Sequence, residues 1–271
     1  GVDWWVIELS SYQIVDLQAE PDIAVLLNLS DEHVDWHSDA GRYAADKLKL
    51  AKLASKGRLI ANHTDPVLVK ELNHYPDVIW FNAPDSWQAT ATGVYRRTDE
   101  LSDQEPEKNI FAPLSLPGEH NMQNLAAALT VVRELALETT DLEQSLSSFS
   151  GLAHRLQLIG QKTGIRYIDD SISTTPVSVA AALQACGCNN LVLLLGGMSR
   201  GLDWNDFATG MVADPPHAII TMPDNGPEIL VQLKHAGVQP PGGLHAVDDL
   251  SQAVALAQQL VPAKGCILLS P

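Results

Sequence analysis

The stretch at residues 190–197, Asn-Leu-Val-Leu-Leu-Leu-Gly-Gly, decides the fold. An unbroken apolar run bounded by turn-forming residues is typical of a strand that is buried on both faces of a sheet. Such strands occur where helices cover both faces, so the stretch predicts a largely parallel α/β layer. The two glycines lie at the end of the strand, where open α/β sheets bind their ligands.

The same alternation of strands and helices continues on both sides of this stretch. Further strands are predicted at Ile165–Asp169, His217–Thr221 and Cys266–Leu269. The helices between them are predicted at Pro176–Ala185, after Asp203, at Pro227–His235 and at Leu250–Leu260. Strands separated by helices of about ten residues imply right-handed crossovers between parallel strands.

The first 150 residues repeat this pattern less regularly. The apolar runs predict four strands, at Trp4–Leu9, Ile23–Leu29, Arg58–Ala61 and Val78–Phe81, and the helical spacing predicts helices over Arg42–Ser55 and from Pro117 onward. Residues 85–110 are acidic and irregular, and we expect a solvated loop or short hairpins there. A serine- and glycine-containing joint at 147–155 predicts two α/β domains, 1–149 and 150–271.

Composition excludes several classes of protein. The chain has 271 residues, of which 45% are hydrophobic and 18% charged, so it is neither disordered nor collagen-like. A net charge of −16 argues against a general nucleic-acid surface, and no apolar run is long enough for a membrane-spanning helix. Three cysteines are too few for a disulfide framework, which favours a cytoplasmic location. Without an initiator Met or signal sequence, we expect a fragment of a longer chain.

Polar side chains follow the first two predicted strands. Glu8 and Ser10 come at the end of one strand, and Asn28 ends the next, just before an acidic segment that contains His33. Oxygen-rich groups with one imidazole suit Mg²⁺ or Mn²⁺ better than a soft metal. An ordinary hydrogen-bonded loop histidine is the alternative for His33.

Two cations stand out, and each has an ordinary alternative. Lys47 lies on a predicted amphipathic helix, where its stem could simply cover apolar surface. A lysine kept neutral by burial could react instead. Arg200 lies in a glycine-rich loop and could bind a carboxylate or phosphate with two hydrogen bonds. The alternative is an ordinary exposed arginine in a turn after a strand. The sequence contains no GxxxxGK[ST] phosphate loop.

Taken in order, these segments resemble the Mur ligase family, and within it the MurD type that adds glutamate to UDP-N-acetylmuramoyl-L-alanine. The resemblance covers residues 8–197 and rests on Glu8–Gln13, Asn28 with Asp31–Asp35, Tyr43–Lys49, Pro117–Asn121 with Asn124, Phe149–Arg155, Asp169–Ser171 and Leu193–Gly197. It implies most of a central ATPase-type domain and most of a C-terminal Rossmann-like domain that binds the amino acid. A phosphate loop would then belong upstream of Gly1, and the fragment alone should be inactive.

The resemblance also implies roles for individual residues. Glu8 and His33 would bind Mg²⁺ together with Lys47, which matches a lysine that carries a carbamate. The residues that would contact ATP are Asn121, Asn124, Arg155 and Asp170. Arg200 would bind the amino-acid carboxylate, and the remaining substrate contacts would be Ser10, Asn28, Ser171 and Thr174.

The implied reaction is ATP-dependent amide formation through an acyl phosphate in peptidoglycan precursor synthesis. We expect a cytoplasmic monomer with no nucleic-acid partner, and with D-glutamate as the amino acid. One departure argues for a change: Ile172 stands where the family pattern has lysine, so a variant that takes L-glutamate is an alternative. A folylpolyglutamate synthase-like ligase and a non-catalytic nucleotide-binding relative are the others.

Overall fold

The computed structural model describes residues 4–29, 40–91, 93–96, 117–137, 142–186 and 190–271. The chain divides into two compact units. The first contains the described residues up to Arg96 together with Glu119–Ser147, and the second contains Pro117, Gly118 and Ser148–Pro271. His33 lies outside the described residues.

The first unit is built on a parallel sheet of three strands in the order β1-β2-β3. Ile23 lies opposite Arg58, and Leu59 lies opposite Val78, which confirms three of the predicted strands. The strands are β1 (Ile23–Leu26), β2 (Arg58–Asn62) and β3 (Val78–Phe81), and the helices are α1 (Ser11–Asp16), α2 (Ala40–Leu53), α3 (Pro66–Leu72), α4 (Glu119–Glu134) and α5 (Leu142–Ser148). Helix α3 was not predicted, although Asp65 caps its N terminus and Pro66 begins it.

The strand predicted at Trp4–Leu9 is wrong, because this segment has no regular structure. Four of its apolar side chains are exposed, those of Trp4, Trp5, Val6 and Ile7, and Val6 is 98% exposed. A strand needs a neighbour to satisfy its backbone groups, and no described strand pairs with this segment. Glu8 therefore lies in an irregular segment and not at the end of a strand.

A short hairpin follows β3. For residues 85–110 the sequence predicted either a solvated loop or short hairpins, and the second alternative is found here. Its antiparallel strands are β4 (Trp87–Thr90) and β5 (Gly93–Arg96). Trp87 and Val94 pack with Phe81 against α4. The acidic residues from position 97 onward lie outside the described part of the chain.

The second unit is a six-stranded sheet in the order β10-β9-β8-β11-β7-β6, parallel except for the pair β6 and β7. The strands are β6 (Gln157–Lys162), β7 (Ile165–Asp169), β8 (Leu191–Leu195), β9 (Ala218–Thr221), β10 (Leu244–Ala246) and β11 (Cys266–Leu269), and the helices are α6 (Pro176–Cys186), α7 (Asn205–Gly210), α8 (Gly226–Ala236) and α9 (Leu250–Leu260). The exposed pattern of β6 gave no apolar signal to predict it.

Strand β8 is buried on both faces, as its sequence predicts. Leu193 packs on one side with α6, α7 and α8, and Leu194 packs on the other with α9. The sheet order changes direction between β8 and β11, so the segments that follow these strands are where a ligand site is expected. Among the described helices, none has both the length and the apolar composition that a membrane span requires.

Candidate active site

Asp170 is the most fully enclosed charged residue at the carboxyl edge of the second sheet. It follows β7 and is only 4% exposed. Its carboxylate accepts hydrogen bonds from the Leu156 backbone N–H at 3.0 Å, the Ser173 hydroxyl at 2.5 Å and the Ser270 hydroxyl at 3.1 Å. The residue predicted to contact ATP therefore joins three segments of its own chain.

Asp169 contacts the same short loop, residues 154–156, at its His154 end, whereas Asp170 contacts it at Leu156. Its Oδ2 atom lies 2.7 Å from His154 Nδ1, and its Oδ1 atom accepts a hydrogen bond from the Ser171 backbone N–H at 2.9 Å. Burial raises the pKa of Asp169, but the hydrogen bonds from His154 and Ser171 outweigh it and hold the pKa below its ordinary value of 3.8. Asp169 thus stays ionised at neutral pH. No role for His154 was predicted from the sequence, although it directly precedes Arg155.

Arg155 lies between His154, which contacts Asp169, and Leu156, which contacts Asp170. It is exposed, and no described residue accepts a hydrogen bond from its guanidinium or forms an ion pair with it. The structure therefore brings Arg155, Asp170 and Ser171 to one place, with the arginine side chain available to an anion.

The turn after β7 leads into α6. Ser171 and Ile172 are exposed there, whereas Thr174 is half-buried. Thr175 accepts a hydrogen bond from the Ser178 backbone N–H and so caps the helix. Ile172 is 47% exposed, so the apolar side chain that replaces the family lysine is not a core residue.

The glycine-rich loop after β8 is fixed by the loop after β9. Gly196 has φ of 120°, and a Cβ atom there would lie 2.3 Å from the Met222 carbonyl oxygen, so only glycine fits. Gly197 donates its N–H to Asn225 Oδ1 at 2.9 Å. Arg200, further along the loop, is exposed.

An open pocket of about 340 Å³ lies beyond the ends of β8, β9 and β11. Its lining is mainly apolar, with two carboxylates next to α9, and consists of Gly196, Met222, Pro223, Asp248, Asp249, Leu250, Leu269 and Pro271. Asp249 caps α9 by accepting a hydrogen bond from Gln252. Neither Arg155 nor Arg200 is among the lining residues.

In the first unit, Ser10 and Lys47 contact neighbouring residues of the same segment. Ser10 caps α1 in a reciprocal arrangement with Gln13, because each residue's side chain accepts from the other's backbone N–H. Lys47 on α2 is half-buried, and its ammonium lies 5.5 Å from the centre of the buried Tyr43 ring. This cation–π contact keeps the lysine against the helix surface.

The other predicted residues of this unit lie on the surface or near it. Glu8 and Asn28 are exposed, and Asn28 lies two residues after β1. Asn121 is half-buried and Asn124 is exposed, and the two are three residues apart in the first turns of α4. That spacing places them on neighbouring positions of one helix face.

A buried amide network joins the ends of β2 and β3, and it was not predicted from the sequence. Asn62 Oδ1 accepts hydrogen bonds from Thr64 and, at 2.9 Å, from Asn82 Nδ2. Asn62 Nδ2 donates to Gln123 on α4 at 3.4 Å. The sequence signal that could have indicated this network is Asn62, a polar residue at the end of an apolar strand. The network fixes α4, which carries Asn121 and Asn124, against the sheet.

The predicted metal ligands are only partly represented among the described residues. Glu8 is a carboxylate of the type that Mg²⁺ prefers, and Lys47 would need modification to act as a ligand. Within the described part of the chain, no group of three His, Cys, Asp or Glu residues could hold a metal ion.

Comparisons with known proteins agree with this architecture. Residues 1–132 match the Mur ligase middle domain, and residues 154–271 match the Mur ligase glutamate ligase domain. The chain is 41% identical over 272 residues to UDP-N-acetylmuramoyl-L-alanine--L-glutamate ligase of Xanthomonas oryzae pv. oryzae, covering 99% of this chain and 57% of that protein. It is 38% identical to the protein of the same name from Xylella fastidiosa, covering 98% of this chain and 56% of that protein.

Among solved structures, the MurF ligase of Thermotoga maritima in complex with ADP has the same fold. The TM-score is 0.68 at 18% identity, and the match covers 93% of this chain and 58% of that chain. The chain thus spans just over half the length of the relatives it matches. Its two halves match two domains of one family, in family order, which confirms the resemblance seen in the sequence. The chain belongs to the Mur ligase family.

Proposed function

We propose that the protein containing this chain is an ATP-dependent ligase that joins L-glutamate to UDP-N-acetylmuramoyl-L-alanine. The observation that carries the proposal is the 41% identity to an L-glutamate ligase of that name across 99% of this chain. Because the chain spans just over half of that relative, the activity is proposed for the whole protein. ATP and a UDP-sugar are cytoplasmic substrates, so we also propose a cytoplasmic enzyme.

The amino acid that we propose is L-glutamate, the sequence-based alternative, and not the D-glutamate that the family resemblance led us to expect. The names of the relatives specify L-glutamate. The exposed Ile172 also removes a cation from the turn after β7, as the sequence-based alternative proposed. A pocket that discriminates between enantiomers does so through the placement of its charged and polar groups, and the loss of one cation is a change of that kind.

Each unit supplies its own part of the chemistry. In the second unit, Arg155 would contact the ribose and phosphates of ATP, and Arg200 would bind the glutamate carboxylate. The exposure of both guanidiniums supports these roles, because a guanidinium binds an oxyanion through two parallel hydrogen bonds. In the first unit, Asn121 and Asn124 would read adenine through their amides, which can both donate and accept hydrogen bonds.

The reaction proceeds by two displacements. The terminal carboxylate of UDP-N-acetylmuramoyl-L-alanine attacks the γ-phosphorus of ATP, which forms an acyl phosphate and releases ADP. The amine of L-glutamate then attacks the acyl carbon, the carbon–oxygen bond to phosphate breaks, and the nitrogen loses a proton. Cationic side chains such as Arg155 stabilise the negative charge of the transferring phosphoryl group.

Magnesium would be held by Glu8 with His33 and a carbamylated Lys47, and it would offset charge on the phosphate oxygens when bound. The donor chemistry of Glu8 supports this assignment. The cation–π contact of Lys47 belongs to its unmodified, charged form, so modification would replace that contact.

The test is a coupled assay on the full-length protein. We expect phosphate release that requires both ATP and UDP-N-acetylmuramoyl-L-alanine, with L-glutamate used better than D-glutamate and a product of the corresponding mass. Turnover of folate substrates instead would favour the folylpolyglutamate synthase-like alternative. ADP binding without turnover of any acceptor would favour the non-catalytic one, and either result overturns the proposal.

A further inference from the structure

Two consecutive carboxylates hold the short loop 154–156 at both ends. Asp169 binds the His154 imidazole at 2.7 Å, and Asp170 accepts the Leu156 backbone N–H at 3.0 Å. The carbonyl oxygen of His154 also accepts a hydrogen bond from the Ile172 N–H at 3.3 Å. Arg155 is therefore the middle residue of a loop fixed on each side of it.

The backbone of this loop is strained on both sides of Arg155. His154 has φ of 63° and Leu156 has φ of 45°, and both lie in the left-handed region that residues with a Cβ atom rarely adopt. Such conformations persist only where surrounding contacts over-determine them, and they concentrate at ligand-binding sites. The hydrogen bonds from Asp169 and Asp170 are contacts of this kind.

The two carboxylates differ in what they hold. Asp170 is buried and links the loop to Ser173 and Ser270, so the core of the unit depends on it. Asp169 is 15% exposed, and its described partners are the loop residue His154 and the turn residue Ser171. Removing Asp169 would free the His154 side chain and leave the contacts of Asp170 in place.

From this geometry we propose that Asp169 is a positioning residue for nucleotide binding. Through His154 it fixes the backbone that presents the Arg155 guanidinium. The inference rests on the proposed function, in which Arg155 contacts ATP. Since the guanidinium has no described protein partner, its placement depends on the backbone beneath it, and a fixed backbone lowers the entropy lost on binding.

Four variants of the full-length protein test this role: Asp169→Ala, Asp169→Asn, His154→Ala, and the double variant Asp169→Ala with His154→Ala. Asp214→Asn, an exposed residue of the same unit, controls for loss of one negative charge. The measurements are the ADP dissociation constant by calorimetry, the KM for L-glutamate and the melting temperature.

We expect Asp169→Ala to weaken ADP binding by about tenfold, as loss of a charge-assisted hydrogen bond does. Asp169→Asn, which keeps an acceptor oxygen, should recover part of the loss, and the KM for L-glutamate should change little. If Asp169 acts through His154, the double variant should bind ADP no more weakly than whichever single variant binds it more weakly. Asp214→Asn should bind ADP like the wild type.

Three results would overturn the positioning role. These are unchanged ADP binding in Asp169→Ala, losses that add in the double variant, and equal weakening of ADP and L-glutamate together with a lower melting temperature. Failure of the wild-type protein to bind ADP would contradict the proposed function instead, so the two failures are distinguishable.

Discussion

The Oδ2 atom of Asp170 accepts a hydrogen bond from the Ser270 hydroxyl at 3.1 Å, although the two residues are 100 positions apart in the chain. Both side chains are buried, and each follows the last residue of a strand. The contact forms because β11 pairs with β7 in the sheet, with Leu269 opposite Asp169. It ties the end of the sheet to the loop that carries Arg155.

Replacing Asp170 by alanine should strongly destabilise the second unit. The change removes three hydrogen bonds to a buried carboxylate and leaves the Leu156 N–H without its acceptor. We expect a loss of about 3 kcal/mol in the free energy of unfolding, measured by urea denaturation. The exposed Asp214→Ala is the matched control and should change stability by less than about 0.5 kcal/mol. Equal stability of the two variants would refute the structural role of Asp170.

The stability contributed by Asp169 should depend on pH. Its pKa is lower in the folded protein than the ordinary 3.8, so the folded state binds fewer protons and ionisation favours folding. The contribution is complete above the ordinary pKa and is lost as pH falls through the lowered value. We expect the stability difference between wild type and Asp169→Asn to be larger at about pH 6 than at about pH 3. A difference that grows on acidification would contradict the assignment.

Gly196→Ala should strongly lower the free energy of unfolding, although it adds only one methyl group. The new Cβ would meet the Met222 carbonyl oxygen at 2.3 Å, and φ of 120° is unfavourable for alanine. We expect a loss of more than about 2 kcal/mol in unfolding free energy. Gly210→Ala at the end of α7 is the control, since its Cβ would have no atom within 4 Å. That variant should be unchanged or slightly stabilised in thermal unfolding.

Ile172→Lys should shift the preference between glutamate enantiomers. Ile172 is exposed, so the change adds a cation at the turn after β7 and leaves the core intact. We expect the ratio of kcat/KM for L-glutamate over D-glutamate to fall by roughly tenfold, the effect of one charge-assisted hydrogen bond. Val177→Lys on α6, also at an exposed apolar residue, should leave the ratio unchanged. An unaltered ratio in Ile172→Lys would show that this position does not set specificity.

The elements predicted correctly from the sequence are those with a local signal. The apolar run Leu191–Leu195 predicted a strand buried on both faces, and the helical spacing of apolar residues at 250–260 predicted α9. Both signals are local because the buried face of an element fixes the spacing of apolar residues along it. The family resemblance was equally local, since each motif is a short segment. It named Asp170 and Arg155, and the structure places both at the carboxyl edge of the sheet.

Failures came where the outcome depends on a partner elsewhere in the chain. Trp4–Leu9 has the composition of a strand, but no described strand pairs with it, so most of its apolar residues are exposed. Strand β6 has little apolar pattern, yet it forms because β7 offers it a hydrogen-bonding edge. Local pattern could not decide either segment.

The sequence by itself therefore determined the α/β class, the family and the types of residue available for chemistry. Only the tertiary structure decided that His154 pairs with Asp169, that Ser270 reaches Asp170, and that Arg155 stands between two anchored residues. The Ser270 contact depends on the insertion of β11 between β7 and β8, which brings together segments far apart in the chain. The contacts of His154 and Leu156 depend on the antiparallel pairing of β6 with β7. Hydrophobic periodicity records which face of an element is buried but not which element covers it, so strand order and the contacts that follow from it arise only in the folded chain.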